Sequence, residues 1–457
     1  MRVFLFQTAK GLFSSSGGYR SNLMLLKYLA SRGHQAAQLC YVWDREVENY
    51  CEEMVANGLN PELESEKITV PADQDTSVDL RTYSFIDADG VRNLAVSVTD
   101  FMKILPDHEL AKEAARWIEH DLVCTRLQVF LMFLDGYLRR FQPTHVIFND
   151  GMSMKATSVM PSLRDVCRIC IVHTAEQLPF GPYAGGISGS AYSAGEHKLL
   201  LGLDGIWSVS QALKNYARQY GQLNTTFHVH HPWTYLDPKT HGLPMRRRNW
   251  DKQIVGIVNP CPVKGSSILQ GLAKRCPQFK FAAWSSWGMD NKLQKSLGEL
   301  KNVDLRPTAR DMEEAWSEIK VLLVPSLWFE AWGIVVVEAQ ARGIPVIASD
   351  AGAIPEAKLG IPPIVHVNML TGERDDDGYI VPDQDIQPWV DELTKLMTDK
   401  EYYEEVSERA RSETALWLAG LDETALERWL LECAKQKALY DGPMPASVSA
   451  RAICDQA

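Results

Sequence analysis

The stretch that decides the fold covers residues 325–356 and reads PSLWFEAWGIVVVEAQARGIPVIASDAGAIPE. Two carboxylates, Glu330 and Glu338, stand eight positions apart around a glycine and a run of β-branched residues. The strand PVIAS follows them, and a glycine-containing turn then ends at Glu356. A strand, an acidic turn, a helix and a second strand in this order are typical of a nucleotide site at the carboxyl ends of parallel strands.

The composition limits the classes of protein to which the chain can belong. With 457 residues, 46% hydrophobic and 23% charged, the chain is predicted to be a soluble globular protein of about two or three domains. The formal charge of -11 argues against a nucleic-acid partner and against adhesion to anionic lipid. The longest apolar run, residues 122–138, is interrupted by polar residues, so we expect no stable membrane insertion.

The first ten residues carry too short an apolar segment for a signal peptide. Nine cysteines without framework spacing indicate reduced thiols and a cytoplasmic location. Cys167, Cys170 and His173 have a metal-like spacing, but they flank a predicted strand and no second ligand pair stands nearby. We therefore interpret the cysteines as structural thiols and expect no metal. We interpret the histidines of residues 228–231 as packing residues.

Short apolar runs alternate with helical stretches, which predicts the α/β class with two Rossmann-like, doubly wound domains that face a central cleft. We predict a first domain over residues 1–235, a linker over 236–250, a second domain over 251–415, a helix over 416–440 that packs back toward the first domain, and a tail over 441–457. Strands are predicted at 3–6, 37–42, 145–148, 169–173, 205–209, 254–258, 280–284, 321–324, 346–348 and 364–367. Residues 82–96 are predicted to form an inserted hairpin.

Positive charge and helix amides are expected opposite the carboxylates. NPCPVKG, residues 259–265, places Lys264 in a strand-to-helix turn, where an ammonium group suits a departing diphosphate. The amides of residues 333–335 would form an anion site at the start of a helix. Two plainer interpretations stay open, with Glu338 as an exposed helix carboxylate and Glu330 as a helix cap. The turn SSSGGYR, residues 14–20, is weak by itself because it lacks a full dinucleotide spacing.

Together these motifs resemble the retaining glycosyltransferases of the GT-B fold, family four, the glycosyl transferases group 1. The resemblance covers almost the whole chain and includes HVIFND ending at Asp150, IVHTAE with His173, PVKG and residues 325–356. It implies that Glu338 holds the nucleotide ribose and that Glu330 lies beside the donor sugar. The remaining implied donor residues, on the phosphates, are Gly17, Gly18, Lys264, Gly333, Ile334 and Val335. The implied catalytic residues are His173, Lys264 and Glu330.

The sequence departs from this family at one position. Many members carry an arginine five residues before the phosphate lysine, and here that residue is Asn259. Stabilisation of the leaving group must then depend on Lys264, on the helix amides or on an arginine elsewhere, for which Arg306 is a candidate.

The implied function is transfer of a sugar from a nucleotide sugar, with UDP favoured on family frequency, and with retained anomeric configuration. The nucleotide sugar is a co-substrate, and no other cofactor is expected. The acceptor is predicted to be a small, partly hydrophobic molecule on the first domain, near Asn149, Asp150, Phe180 and Tyr183. Aromatic residues at 43, 117, 130 and 133 support this prediction. The alternatives are a sugar-nucleotide epimerase, a phosphorylase and a catalytically silent nucleotide-sugar-binding protein, and oligomer formation stays open.

Overall fold

The computed structural model describes residues 1–12, 17–58, 63–71, 77–185, 192–232, 242–309, 311–376, 378–422 and 424–441. Within these ranges no helix combines the length and the apolar character needed to cross a membrane.

The first half of the chain forms a nine-stranded sheet. Its strands are β1 (Arg2–Gly11), β2 (Gln35–Val42), β3 (Glu64–Pro71), β4 (Ser77–Ile86), β5 (Arg92–Ser97), β6 (His145–Phe148), β7 (Cys167–Val172), β8 (Gly205–Ser208) and β9 (Phe227–Val229). Their order is β3-β4-β5-β2-β1-β6-β7-β8-β9. Strand β1 pairs in parallel with β2 on one side and with β6 on the other, so the order reverses beside β1. Such a reversal is a topological switch point, where α/β proteins bind ligands.

The helices that accompany this sheet are α1 (Gly17–Ser31), α2 (Asp44–Ala56), α3 (Val98–Ile104), α4 (Asp107–His120), α5 (Thr125–Phe141), α6 (Gly151–Val159), α7 (Ala194–Leu201) and α8 (Gln211–Gly221). The predicted hairpin is present as β4 and β5, which pair antiparallel. It is part of the sheet, because β5 also pairs in parallel with β2. Strand β3 was not predicted, since its sequence ESEKITVP has the charged character of an edge strand rather than a long apolar run.

A second sheet has six strands in the order β12-β11-β10-β13-β14-β15. They are β10 (Ile254–Val258), β11 (Lys280–Trp284), β12 (Val303–Arg306), β13 (Ile319–Val324), β14 (Val346–Ser349) and β15 (Ile364–Val365), followed by a small antiparallel pair, β16 (Arg374–Asp375) and β17 (Gly378–Tyr379). All neighbours in the six-stranded sheet are parallel, and the order reverses between β10 and β13. The sequence prediction of two doubly wound α/β layers is confirmed.

The helices of this second half are α9 (Ser266–Arg275), α10 (Asn291–Gly298), α11 (Met312–Glu318), α12 (Ile334–Ala341), α13 (Ile354–Ala357), α14 (Gln387–Thr398), α15 (Lys400–Ala419) and α16 (Thr424–Asp441). Strands β10, β11, β13 and β14 are mostly buried on both faces, as parallel strands usually are, whereas the edge strand β12 is partly exposed. Within the predicted helix over 416–440 the structure has a break, because α15 ends at Ala419 and α16 begins at Thr424.

The chain divides into two compact units. The first contains the described parts of Met1–Ile171, Lys198–Ile206 and Glu423–Ala457, and the second contains those of Val172–His197 and Trp207–Asp422. Helix α16 therefore belongs to the first unit, where Glu427 accepts hydrogen bonds from His34 Nε2 at 2.7 Å and from Tyr28 Oη at 3.0 Å. The predicted domain boundaries themselves stay a prediction.

Candidate functional site

Lys264 and Glu330 meet at the switch point of the second sheet. Lys264 ends a 3-10 turn, Pro262–Lys264, that follows β10, and Glu330 lies in the turn that follows β13. The Lys264 ammonium group forms an ion pair with Oε1 of Glu330, and Ser326 Oγ donates to the same oxygen at 2.9 Å. The structure thus brings together two residues that the sequence places 66 positions apart.

Gly265 allows the two turns to approach each other. Its φ is +79°, and a Cβ atom built there would lie 1.9 Å from the carbonyl oxygen of Pro325, so a larger residue does not fit. Beside it, the Leu327 N–H donates to the Val263 carbonyl at 3.0 Å. This contact fixes the Lys264 turn against the turn that carries Glu330.

A third turn, after β14, also contacts Glu330. The Ala353 N–H donates to the Glu330 carbonyl at 2.7 Å. Gly352 has a φ of +58°, and a Cβ atom there would lie 2.3 Å from the Glu330 carbonyl oxygen and 2.6 Å from its nitrogen. The backbone of Glu330 is therefore held by residues 350–356, a contact that was not predicted from the sequence.

Helix α12 begins directly after Gly333, so the amides of Ile334 and Val335 lie in its first turn. Glu338 lies further along this helix and is 6% exposed. It is not an exposed helix carboxylate, and Glu330 is not the helix cap, because the cap position is Gly333. Both plainer interpretations are therefore wrong. The assignment of the ribose to Glu338 stays a prediction.

An aromatic cluster lies beside the Glu330 turn. Trp328 Nε1 donates to Glu176 Oε1 at 2.5 Å, and the ring of Tyr183 packs edge-on against Trp328 with 4.5 Å between centroids. Phe329 lies 5.7 Å from the Tyr183 ring. Glu176 and Trp328 were not predicted as site residues, because nothing local in the sequence indicates that residues 152 positions apart will pair.

His173 lies immediately after β7. Its backbone N–H donates to Gln177 Oε1 at 2.5 Å, and its ring packs edge-on against Trp207 at 6.2 Å between centroids. A catalytic role for His173 stays a prediction.

Comparison with known proteins agrees with this arrangement. Residues 291–413, which contain the Glu330 turn and α12, match the family model described as "Glycosyl transferases group 1". This part of the chain is therefore similar to the group 1 glycosyltransferases. A curated relative, the D-inositol 3-phosphate glycosyltransferase of Mycobacteroides abscessus, is 27% identical over 186 residues, or 37% of this chain and 39% of the relative. The chain thus matches less than half the length of the curated relatives.

Solved structures show that this chain has the GT-B fold. A sucrose-phosphate synthase from Thermosynechococcus elongatus superposes with a TM-score of 0.61 at 14% identity, covering 96% of this chain and 99% of that one. HepE from Anabaena, solved in complex with UDP, superposes with a TM-score of 0.52 at 13% identity, covering 96% and 99%.

Asn259 is the residue at which this chain departs from the pattern that the resemblance implies. Its φ is +56°, a left-handed conformation that asparagine adopts more readily than most other non-glycine residues. The side chain is buried, and its Oδ1 has no hydrogen-bond partner among the described residues. Arg306, the proposed substitute cation, forms ion pairs with Asp304 at 2.7 Å and with Glu318 at 2.9 Å. Two carboxylates therefore compensate its charge.

The predicted acceptor residues have different surroundings. Asp150 caps α6 by accepting from the Ser153 N–H at 2.8 Å, and Asn149 is buried beside it. Phe180 is 2% exposed and packs edge-on against His197 at 5.1 Å, so its ring is a core contact here. Tyr183 is half-buried. These acceptor assignments stay predictions.

On the glycine turn of the first sheet, Gly17 and Gly18 are the first residues of α1. Residues 14–16 of that turn lie outside the described ranges, and so do residues 186–191, which follow the predicted acceptor residue Tyr183 in the sequence. The closure of the glycine turn over phosphates therefore stays a prediction.

The histidines at 228–231 pack as predicted. His231 stacks on Trp332 with 3.9 Å between ring centroids, and its Nε2 lies 3.6 Å from Oε1 of Glu356. Burial lowers the pKa of His231, although the Glu356 carboxylate acts in the opposite direction. Burial also lowers the pKa of His230 to about 3. Glu356 further accepts from the N–H of Gln211 at 2.9 Å, at the start of α8.

Cys167 and Cys170 are both buried, and their interpretation as structural thiols stays a prediction. Across the described ranges, no group of three or more histidine, cysteine, aspartate or glutamate side chains is arranged to hold a metal ion. Whether the reaction uses a metal is a separate question, and metal independence stays a prediction.

Proposed function

We propose that this chain transfers a sugar from a nucleotide-sugar donor, with UDP favoured, to a small, partly hydrophobic acceptor with retention of anomeric configuration. The observation that carries the proposal is the ion pair between Lys264 and Glu330 at the switch point of the second sheet, beside the start of α12. The carboxyl ends of these strands bring together a cation, a helix N-terminus and a carboxylate. The cation and the helix N-terminus suit a diphosphate, and the carboxylate suits an attached sugar.

The ion pair supports a specific division of roles. A diphosphate carries more charge than the carboxylate and would compete with Glu330 for the Lys264 ammonium group. Glu330 would then be released to accept hydrogen bonds from sugar hydroxyls, while Ser326 still donates to it. Lys264 and the α12 amides would stabilise the charge of the leaving diphosphate, so we propose that no metal is required.

Retention is proposed to follow a front-face route. The departing phosphate oxygen takes the proton of the acceptor hydroxyl, the acceptor oxygen bonds to the anomeric carbon, and the bond from that carbon to the diphosphate breaks. In such a route the protein contributes positioning and electrostatic stabilisation rather than a covalent nucleophile. The UDP preference is supported by HepE, a structural neighbour solved with UDP.

The experiment first measures the thermal shift of the protein with UDP, GDP and ADP, because a ligand that binds the folded state raises its apparent stability. Sugar transfer is then measured with the matching nucleotide sugars. Lys264→Ala should lower kcat by about 100-fold or more, the usual cost of removing one donor to the developing charge. Glu338→Gln should weaken nucleotide binding by about tenfold, the equivalent of one hydrogen bond to a charged group.

Two matched variants act as controls, since Lys274 and Glu314 are exposed residues of the same unit. Lys274→Ala and Glu314→Gln should retain both kcat and nucleotide affinity. Equal kcat in Lys264→Ala and Lys274→Ala would remove the basis of the proposal. The coupling constant of the anomeric proton in the product, measured by NMR, decides between retention and inversion.

A second candidate is a catalytically silent nucleotide-sugar-binding protein. Asn259 favours it, because it supplies no cation where many family members have an arginine, and Arg306 is already paired with Asp304 and Glu318. This candidate predicts tight binding of a nucleotide sugar without turnover across a broad acceptor panel. Turnover that depends on Lys264 would exclude it.

A further inference from the structure

The first unit contains a hollow of about 280 Å³ that none of the proposed donor residues lines. It is bounded by residues of β2, β5, α3, α4, α5 and α6. The side chains that define its chemistry are Tyr41, Trp43, Phe101, Met102, Phe130 and Met152. The rings of Phe101 and Phe130 pack edge to face with 5.2 Å between centroids.

The hollow lies at the ligand-binding edge of the first sheet. Trp43 directly follows the end of β2, Val98 directly follows the end of β5, and Met152 lies in the first turn of α6, after β6. Strands β5, β2, β1 and β6 are parallel neighbours, so their carboxyl ends share one edge. That edge also carries Asp150 and the start of α1, and it is where α/β sheets bind ligands.

The lining is chemically uniform. None of the described residues that line the hollow carries a charged side chain. Several of these apolar side chains, including Phe101, Met102 and Met152, are only half-buried, and Trp43 is 46% exposed. The hollow is therefore accessible apolar surface beside the switch point rather than sealed core.

Size and lining together define the group that fits. An apolar cavity of about 150 Å³ holds one benzene ring. A hollow of 280 Å³ can therefore take about two fused rings. Aromatic rings pack edge to face or offset against other rings, and thioether sulfur makes favourable contacts with ring edges. Four aromatic side chains and two methionines favour an aromatic group over a saturated one.

We infer that this hollow binds an uncharged aromatic group of the acceptor. The inference rests on the proposed transfer function, because it assigns the acceptor side of that reaction. The inference also separates the aromatic residues that the sequence suggested for the acceptor site into those that line the hollow and those that do not. Trp43 and Phe130 line the hollow, whereas Trp117 is 3% exposed and is absent from the lining.

The test uses the full chain and three probes without any donor. Isothermal titration calorimetry measures binding of 2-naphthol, of naphthalene-2-sulfonate, which has the same rings and a charge, and of decahydro-2-naphthol, which is saturated. We expect 2-naphthol to bind at least tenfold more tightly than the sulfonate and at least threefold more tightly than the saturated alcohol. Smaller ratios would overturn the assignment to an uncharged aromatic group.

Variants locate the binding site. Met102→Trp fills the hollow and should weaken 2-naphthol binding at least tenfold, whereas Met132→Trp, at a site 69% exposed on α5, should retain it. Met152→Glu places a charge in the hollow and should give the same loss as Met102→Trp. A loss of less than tenfold in both hollow variants would overturn the inference.

UDP affinity separates this inference from the proposed function and also checks folding. The two hollow variants should bind UDP as the unaltered chain does. If 2-naphthol binding falls in the hollow variants but no sugar transfer to an acceptor is detected, the binding site is upheld. That result would contradict only the proposed transferase activity. If sugar transfer depends on Lys264 but 2-naphthol binding is the same in the hollow variants and the unaltered chain, only the assignment of the hollow as a binding site is overturned.

Discussion

Lys358 holds an ammonium group in the interior of the second unit, just after α13. It is 1% exposed, and its Nζ donates to the Val346 carbonyl at 2.5 Å. Burial lowers the pKa of Lys358 to about 7, compared with 10.5 for an ordinary lysine. The unfolded chain therefore binds more protons than the folded chain between pH 7 and pH 10.5, so this residue makes stability rise with pH in that window.

Lys358→Met should remove that rise and increase the free energy of unfolding at pH 7 by about 1–2 kcal/mol, because it removes a group that is costly to bury when charged. Urea denaturation at several pH values, with Lys274→Met as the exposed control, measures the effect. A stability difference between Lys358→Met and the unaltered chain that stays constant from pH 7 to pH 10 would contradict the assignment.

The sequence predicted the surroundings of some single residues better than those of others. Glu330, Glu338 and Lys264 were proposed because the motifs around them resemble a known family, and the structure pairs Lys264 with Glu330. Phe180 was expected to stack on an acceptor, yet its ring is buried against His197. Residue type predicts which chemistry a side chain can perform. It does not predict whether neighbouring elements leave that side chain accessible.

At the scale of elements, three turns after β10, β13 and β14 position Glu330. Gly352, in the last of these turns, has no room for a Cβ atom because the Glu330 backbone lies against it. Gly360 is a matched control, since its φ of +68° is also left-handed but nothing lies within 4 Å of its Cβ position.

Gly352→Ala should lower the free energy of unfolding by about 2–4 kcal/mol, since a left-handed alanine costs about 1 kcal/mol and the clash with Glu330 adds to it. It should also weaken UDP binding, because the turn that carries Glu330 must move. Gly360→Ala should lower the free energy of unfolding only by the cost of a left-handed alanine, and its UDP binding should be unchanged. Chemical denaturation and UDP titration measure both quantities, and equal losses in the two variants would contradict this account.

Elements were well predicted where the pattern was strong. The buried parallel strands are mostly apolar runs, and each predicted run overlaps an observed strand, although the run predicted over 364–367 extends two residues beyond β15. Edge strands β3 and β12 were not predicted. Their residues alternate with charged ones, and their pairing with β4 and β11 stabilises a conformation that their own sequence does not strongly favour.

At the scale of the whole molecule, the last helix belongs to the first unit although the second unit precedes it in sequence. Glu427 of α16 is buried and accepts hydrogen bonds from His34, Tyr28 and Arg32 of the first unit. Burial raises the pKa of Glu427, but these three hydrogen bonds outweigh it and the net pKa is lowered from 4.5. A lowered carboxyl pKa contributes stability above the unfolded value, and that stability is lost as pH falls through the folded value.

Glu427→Gln should therefore destabilise the first unit by about 2–4 kcal/mol at pH 7, because it leaves His34 and Arg32 without the carboxylate. The difference from the unaltered chain should shrink as pH falls below 4.5. Hydrogen exchange should show faster exchange in α1, β6 and α16, with β10 to β14 unaffected. Glu432→Gln, an exposed position on the same helix, is the control, and equal exchange in both variants would contradict the prediction.

The alternation of apolar runs and helical stretches was enough to predict two parallel α/β layers, because the periodicity of a strand or helix is a property of neighbouring residues. The resemblance of several motifs to a known family selected Lys264, Glu330 and Glu338 as candidate residues. The ion pair across 66 positions, the burial of Phe180 and the apolar hollow beside Trp43 arise only when distant elements pack. Contacts of that kind depend on side-chain fit between elements, which no local window of the chain contains.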